Sequence, residues 1–141
     1  MCDLDREIDL IRAFFQPIRR DRAEWMVSTP GKRIKFINRL AHCRDLDERF
    51  TTWLAPSVKH TPDILRLLRE RGAPETCYVV SLLSCADGKI MPLEDALDAV
   101  VGISLGSLIS CIPGRLAFFE SEDRGARCIL ERPATGSVSR E

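Results

Sequence analysis

Leu4, Ile8, Ile11, Phe15 and Ile18 recur at spacings of four and three residues, the stripe of an amphipathic helix. Pro17 lacks an amide hydrogen and should end or kink that helix near Gln16, leaving a short piece through Asp21–Met26. Thr29-Pro30 reads as a helix start, with Thr as cap and Pro in the first turn, where its missing N–H costs nothing. The helix it opens would place Ile34, Ile37, Leu40 and Ala41 on one face. Asp45 and Glu48 resemble a capping pair for a further helix burying Leu46, Phe50, Trp53 and Leu54. Thr61-Pro62-Asp63 starts another, which buries Ile64, Leu65, Leu67 and Leu68 and stops at Gly72.

After Ala73-Pro74 the pattern changes. Cys77–Ser84 is short, β-branched and almost continuously apolar, as expected of a strand covered on both faces. Asp87-Gly88 marks a turn. Pro92 then opens a helix with Leu93, Ala96, Leu97, Val100 and Val101 on one face, closed by Gly102. Ser107–Ile112 and Arg115–Ser121 read as strands joined at Pro113-Gly114. A Pro-Gly pair favours a type II turn, which suits a two-residue hairpin poorly, so a longer loop is possible there. Residues 126–132 alternate, Cys128 and Leu130 against Arg127 and Glu131, which predicts a half-exposed fourth strand.

Strand, helix, strand over residues 77–112 suggests a βαβ crossover between parallel neighbours, followed by an antiparallel meander. The expected fold is therefore α+β: an N-terminal helical half packed on a small mixed four-stranded sheet. Residues 1–132 would form one domain, helical over 1–72 and sheet-containing over 76–132, with 133–141 as a disordered tail.

Composition changes this picture little. A chain of 141 residues, 45% hydrophobic and 30% charged, can close its own core. No apolar run approaches the length of a membrane span, and the N-terminus carries acids where an export signal needs bases. The expected compartment is the cytoplasm, and no membrane partner is expected. In that setting the six cysteines, Cys2, Cys43, Cys77, Cys85, Cys111 and Cys128, read as structural thiols. No pair has the C-x-x-C spacing of a zinc or redox site, so neither metal nor cofactor is expected.

Charge is more informative. The net is zero, but residues 1–72 hold 15 Lys/Arg against 11 Asp/Glu, and residues 73–141 hold 6 against 10. Such a split means either internal docking or two different faces.

Several stretches could carry chemistry. Gly102-Ile103-Ser104-Leu105-Gly106 fits G-x-S-x-G and resembles the nucleophile elbow of α/β-hydrolases over about ten residues. The resemblance implies a nucleophilic Ser104 followed in the chain by an acid and then a histidine. Both histidines, His42 and His60, precede Ser104, which favours a glycine helix cap leading into a strand. His42 and Cys43 are adjacent and, on a helix, would not face each other. Glu94, Asp95 and Asp98 lie where they complement a helix dipole. Arg19, Arg20, Arg22, Lys32, Arg33, Lys35 and Arg39, with Trp25 and Phe36 between them, could track a nucleic-acid backbone, but Asp21 and Glu24 dilute the run and nucleic acid is an unlikely partner. Finally, the carboxyl ends of parallel strands would gather Asp87, Lys89 and Arg115 as an anion-binding edge.

No complete catalytic constellation emerges. The function expected first is therefore binding of a protein partner, or self-association, without catalysis. A small-anion binder or enzyme built on residues 85–92 and 113–115 comes second, and nucleic-acid binding through 19–39 third.

Overall fold

The computed structural model describes residues 2–40, 44–123 and 126–133. The first stripe forms helix α1 (Leu4–Phe14), whose opening turn is capped by the Asp3 side chain accepting the Arg6 N–H. Pro17 interrupts it, but as the first residue of a new twelve-residue helix, α2 (Pro17–Ser28). Thr29 closes α2 rather than opening the next helix, since its hydroxyl donates to the Trp25 carbonyl. Gly31, at φ +82°, turns the chain into α3 (Arg33–Leu40). Two face assignments change as a result. Ile18 belongs to α2 and points to solvent. On α3, Phe36 joins Ile37 and Leu40 in the core, while Ile34 is exposed.

The helix expected from Asp45 to Leu54 does not form. Asp47 caps a 3₁₀ turn (Glu48–Phe50) that runs directly into strand β1 (Thr51–Trp53). The β-branched pair Thr51-Thr52 and Trp53 suit a pleated edge, and β6 offers them backbone partners at Cys128–Leu130. Helix α4 (Thr61–Glu70) then forms as the pattern predicts, ending near Gly72 at φ +96°.

The remaining elements are β2 (Thr76–Ser81), β3 (Ile90–Pro92), α5 (Leu93–Val100), β4 (Ser107–Ile112), β5 (Leu116–Glu120) and β6 (Arg127–Glu131). They give one six-stranded sheet in the order β1-β6-β5-β4-β2-β3, antiparallel at every pairing. This corrects the four-stranded mixed sheet. It also relocates the crossover. Helix α5 does join two parallel strands, but they are β3 and β4, and β2 lies between them. The physical cause is the short β3, which pairs on the outer edge of β2 and reverses the chain before α5 begins. The meander β4-β5-β6 is as expected. Its first turn is a three-residue loop in which Arg115 N–H donates to the Ile112 carbonyl and Gly114 takes φ +74°.

Both faces of the sheet are covered. Helices α1–α3 pack on Tyr78, Val80, Leu108, Phe119 and Leu130; helices α4 and α5 pack on Cys77, Val79, Ile109, Phe118 and Ile129. Strand β6 is accordingly not half-exposed, and Arg127 is buried. Strand β1 brings residues 51–53 of the helical half into the sheet. The tail from residue 134 onward lies outside the described residues. Among the described residues no helix is long and apolar enough to cross a membrane.

The thiols divide by burial. Cys77, Cys111 and Cys128 are buried, whereas Cys2 and Cys85 are exposed; Cys43 lies outside the described residues. Exposed Cys85 departs from the expectation of a packed thiol. Burial pushes the Cys77 thiol up to about 12 and raises Cys111 as well. Because the thiolate is the reactive form, a maleimide at neutral pH should label Cys2 and Cys85 rapidly in the native protein. Cys77, Cys111 and Cys128 should react far more slowly in the native protein and fully on unfolding. Peptide mapping after a timed quench checks this, and rapid native labelling at Cys77 or Cys111 would contradict the packing described.

Candidate functional site

The residues nominated for an anion-binding edge do not converge. Strands β2 and β4 are antiparallel, so the loop after β2 and the loop after β4 leave from opposite ends of the sheet. Asp87 lies at the Ser81 end, where its carboxylate accepts the Ser81 N–H at 3.0 Å. Lys89 is exposed on the outer edge, beside Val79. Arg115 is exposed beyond Ile112, at the other end of β4. Asp87 is moreover already engaged by Arg33. The topology thus removes the strand-end crevice that motivated grouping the three residues.

The G-x-S-x-G segment runs from helix α5 into strand β4, the reverse of the strand-to-helix order of a nucleophile elbow. Val101 caps α5 and Gly102, at φ +86°, follows as its left-handed terminator. Ser104 is exposed at φ +62°. His60 heads α4, and His42 and Cys43 lie outside the described residues. Glu94, Asp95 and Asp98 are exposed along α5. Among the described residues no group of three His, Cys, Asp or Glu side chains could hold a metal ion.

Two buried ionic clusters were not legible in the sequence. In the first, Arg33 of α3 reaches Glu7 of α1 (Nη2 to Oε2, 2.7 Å) and Asp87 of the β2–β3 loop (Nη1 to Oδ2, 2.7 Å). Glu7, only 1% exposed, also accepts the Tyr78 hydroxyl at 2.6 Å, and that hydroxyl accepts the Asp3 N–H. In the second, Arg127 and Glu120, each with a side chain 3% exposed, pair at 2.8 Å. Arg127 further donates to the Val58 carbonyl, and Glu120 accepts the Gly102 N–H. Ser81 and Ser107 extend this polar row along the sheet end, their hydroxyls 2.8 Å apart. Each cluster fastens loops and helices to the sheet, and their hydrogen-bonding groups point at one another rather than into a cleft.

The first cluster can be read optically. Burial, then donation to Glu7, raises the Tyr78 phenol above its ordinary value. A group raised in the folded state contributes stability that is complete below its unfolded value, about 10, and is lost as pH rises. Tyr78 is the single tyrosine of the chain. Phenolate absorbance should therefore appear only together with loss of the circular-dichroism signal. Ionisation near 10 in a still-folded protein would show that Tyr78 is not held as described.

A different arrangement occupies the outer surface of α2 and α3. Ile18, Arg22 and Met26 of α2, Phe36 and Arg39 of α3, and Asp45 line a shallow notch of about 70 Å³. Ile18 is 84% exposed and Trp25 51% exposed. Seven residues apart, they lie two turns along one stripe of α2, with Arg22 between them. The arginines differ in how they are used. Arg39 approaches Asp45 at 3.2 Å and Arg19 at 3.7 Å, whereas Arg22 has no ion-pair partner among the described residues. Glu24 is taken by Arg12 at 3.0 Å. Residues 17–40 carry seven Lys/Arg against two Asp/Glu, an excess that the pairs of Arg19, Arg33 and Arg39 with Asp45, Glu7 and Asp87 neutralise only in part. Phe36, in contrast, is buried and stacks on Phe15 with centroids 5.8 Å apart, so it is not available to a ligand.

On the opposite layer, Pro62, Leu65, Arg66 and Arg69 of α4 face Glu94 of α5 across an open cleft of about 430 Å³. Basic and acidic side chains here compensate each other. The charge split along the chain therefore resolves into a partly neutralised α4–α5 layer and an α2–α3 face on which Arg19, Arg33 and Arg39 are paired and Arg22 has no ion-pair partner among the described residues. Compared with known protein families, curated proteins and solved structures, the chain gives no match.

Proposed function

We propose that this protein is a non-catalytic binding module whose α2–α3 face docks an acidic protein segment carrying aliphatic or aromatic side chains. The observation that carries this reading is the stripe Ile18, Arg22, Trp25: two large apolar side chains held in water beside a guanidinium with no counter-ion among the described residues. Tryptophan and arginine are the residues that most often dominate protein interfaces, and burying this stripe would release the solvent it now orders. Nucleic acid fits less well. An aliphatic side chain at the centre of a phosphate-lined surface would be desolvated without gain, and Asp21 and Asp45 interrupt the positive track. A second copy fits less well too. Its exposed helical acids include Asp5 and Asp9 on α1 and Glu94, Asp95 and Asp98 on α5, on opposite sides of the sheet, and docking the α5 group would be head-to-tail rather than two-fold symmetric.

Trp25 gives a direct readout once Trp53, the other tryptophan, is replaced by phenylalanine. A Leu/Glu amphipathic peptide should perturb Trp25 emission and bind at least about tenfold more tightly than polyglutamate of equal charge. Binding should weaken as salt rises, because rim charges are screened. Ile18→Asp and Arg22→Glu should each weaken it by about tenfold or more while leaving the unfolding midpoint nearly unchanged, since both side chains are exposed. Equal or tighter binding of a single-stranded oligonucleotide would replace this reading with nucleic-acid recognition. Concentration-dependent sedimentation abolished by Arg22→Glu would replace it with self-association, and no binding of any probe would remove it.

A further inference from the structure

We propose that Cys77 and Cys111 form a facing dithiol at the centre of the sheet that a small-molecule disulfide closes into a reversible staple between β2 and β4. The registers Tyr78↔Ser110 and Val79↔Ile109 extend by one residue to place Cys77 opposite Cys111, within the spans of both strands. Both side chains belong to the core beneath α4 and α5, so they share one face.

Hydrogen bonding identifies the type of pair. Val79 gives its N–H to Lys89 and accepts the Gly88 N–H, so its backbone polar groups face β3 rather than β4. Cys77, two residues earlier on the same strand, has the same orientation. Cys77 and Cys111 therefore occupy a non-hydrogen-bonded site, where opposed Cα atoms approach to about 4.5 Å and side chains are closest. That lies inside the span a disulfide bridges without backbone movement. The β4–β5 register shifts between Ser110 and Ile112, a bulge centred on Cys111, and such bulges re-aim the side chain they carry. The pKa of Cys111 is raised first by burial and in smaller part by Cys77, which agrees with their proximity.

The reaction is thiol–disulfide exchange. One thiol loses its proton and attacks a disulfide such as oxidised glutathione, releasing one glutathione thiol and forming a mixed disulfide. The second thiol then loses its proton, displaces the second glutathione and closes the protein bond. Two protein thiols are oxidised and one disulfide is reduced to two thiols. Only the three-residue β3 covers β2 on its outer side, and Cys77 Sγ–H donates to the Met91 carbonyl of that strand. Opening this short edge exposes Cys77 first. Exchange should accordingly be slow, in keeping with the slow alkylation expected of these thiols.

The test incubates the full chain with oxidised glutathione, in buffer and in urea below the unfolding midpoint, followed by acid quench, alkylation and peptide mass spectrometry. The expected product is a Cys77–Cys111 cross-linked pair, two hydrogens lighter, formed while circular dichroism stays native and reversed by a thiol reductant. Exposed Cys2 and Cys85 should instead carry single glutathione adducts. Cys77→Ser and Cys111→Ser should each remove the cross-link, and the oxidised wild type should unfold at a higher urea concentration than the reduced. A cross-link that forms only after complete unfolding, or that joins other cysteines, would overturn the proposal. So would Cys77 and Cys111 both remaining reduced in either condition. None of these outcomes depends on the α2–α3 face.

Discussion

Replacing Arg127 with methionine should destabilise the protein by about 3–5 kcal/mol, the range seen when one partner of a buried ion pair is removed. Among the described residues Glu120 would keep a buried negative charge answered by the Gly102 N–H alone, and the Val58 carbonyl would lose the Arg127 donor. The same change would release Val58 from the sheet end. Urea titration followed by circular dichroism measures the loss, and a shift below about 1 kcal/mol would show that the pair is solvated. The double variant Glu120→Gln with Arg127→Met should recover part of the stability. It removes the uncompensated charge and retains an acceptor for Gly102.

Arg33→Met should be comparably severe, again about 3–5 kcal/mol, because one guanidinium serves two carboxylates on two separate elements. Glu7 would be left in the core with the Tyr78 hydroxyl, and Asp87 with the Ser81 N–H. Glu7→Gln in the Arg33→Met background should regain stability at neutral pH, because it removes the unpaired buried charge. No gain from that second change would mean that lost packing of the Arg33 stem, not its charge, sets the cost. Both expected losses are large against the 5–15 kcal/mol that typically holds a domain together.

The candidate face was partly visible in the chain. The basic run and Trp25 stand out in the sequence, but Ile18 reads there as the last residue of the first apolar stripe. Whether it faces the core depends on Pro17 restarting the helix, which resets the rotation of every residue after it. The partners of Arg19, Arg33 and Arg39 were equally invisible. Arg19 meets Asp45 across 26 positions and Arg33 meets Glu7 and Asp87 across 26 and 54, distances at which local periodicity carries no information. Arg39 meets Asp45 only 6 positions away, but across the end of α3. Asp87 illustrates the consequence. A turn residue that looks available for a ligand is held by a helix more than fifty positions earlier.

Elements whose stability is local were determined by the sequence alone. Helix α4 begins at Thr61-Pro62 and ends before Gly72, α5 (Leu93–Val100) lies between Pro92 and the glycine at 102, and β4 spans Ser107–Ile112, all as their patterns predict. Caps, helix breakers and apolar period act over a few residues, so the chain states them directly. Strands β1 and β3 could not be read this way. Three residues carry too little periodicity to announce a strand, and their backbone groups are satisfied only by β6 and β2. Their presence turns a four-stranded expectation into six strands. Because β3 reverses the chain ahead of α5, it also makes β2 and β4 antiparallel. That one reversal separates Asp87 from Arg115 and sets Cys77 against Cys111. Strand direction is a property of the assembled sheet, fixed by which edge is free when a strand docks, and only the tertiary structure decides it.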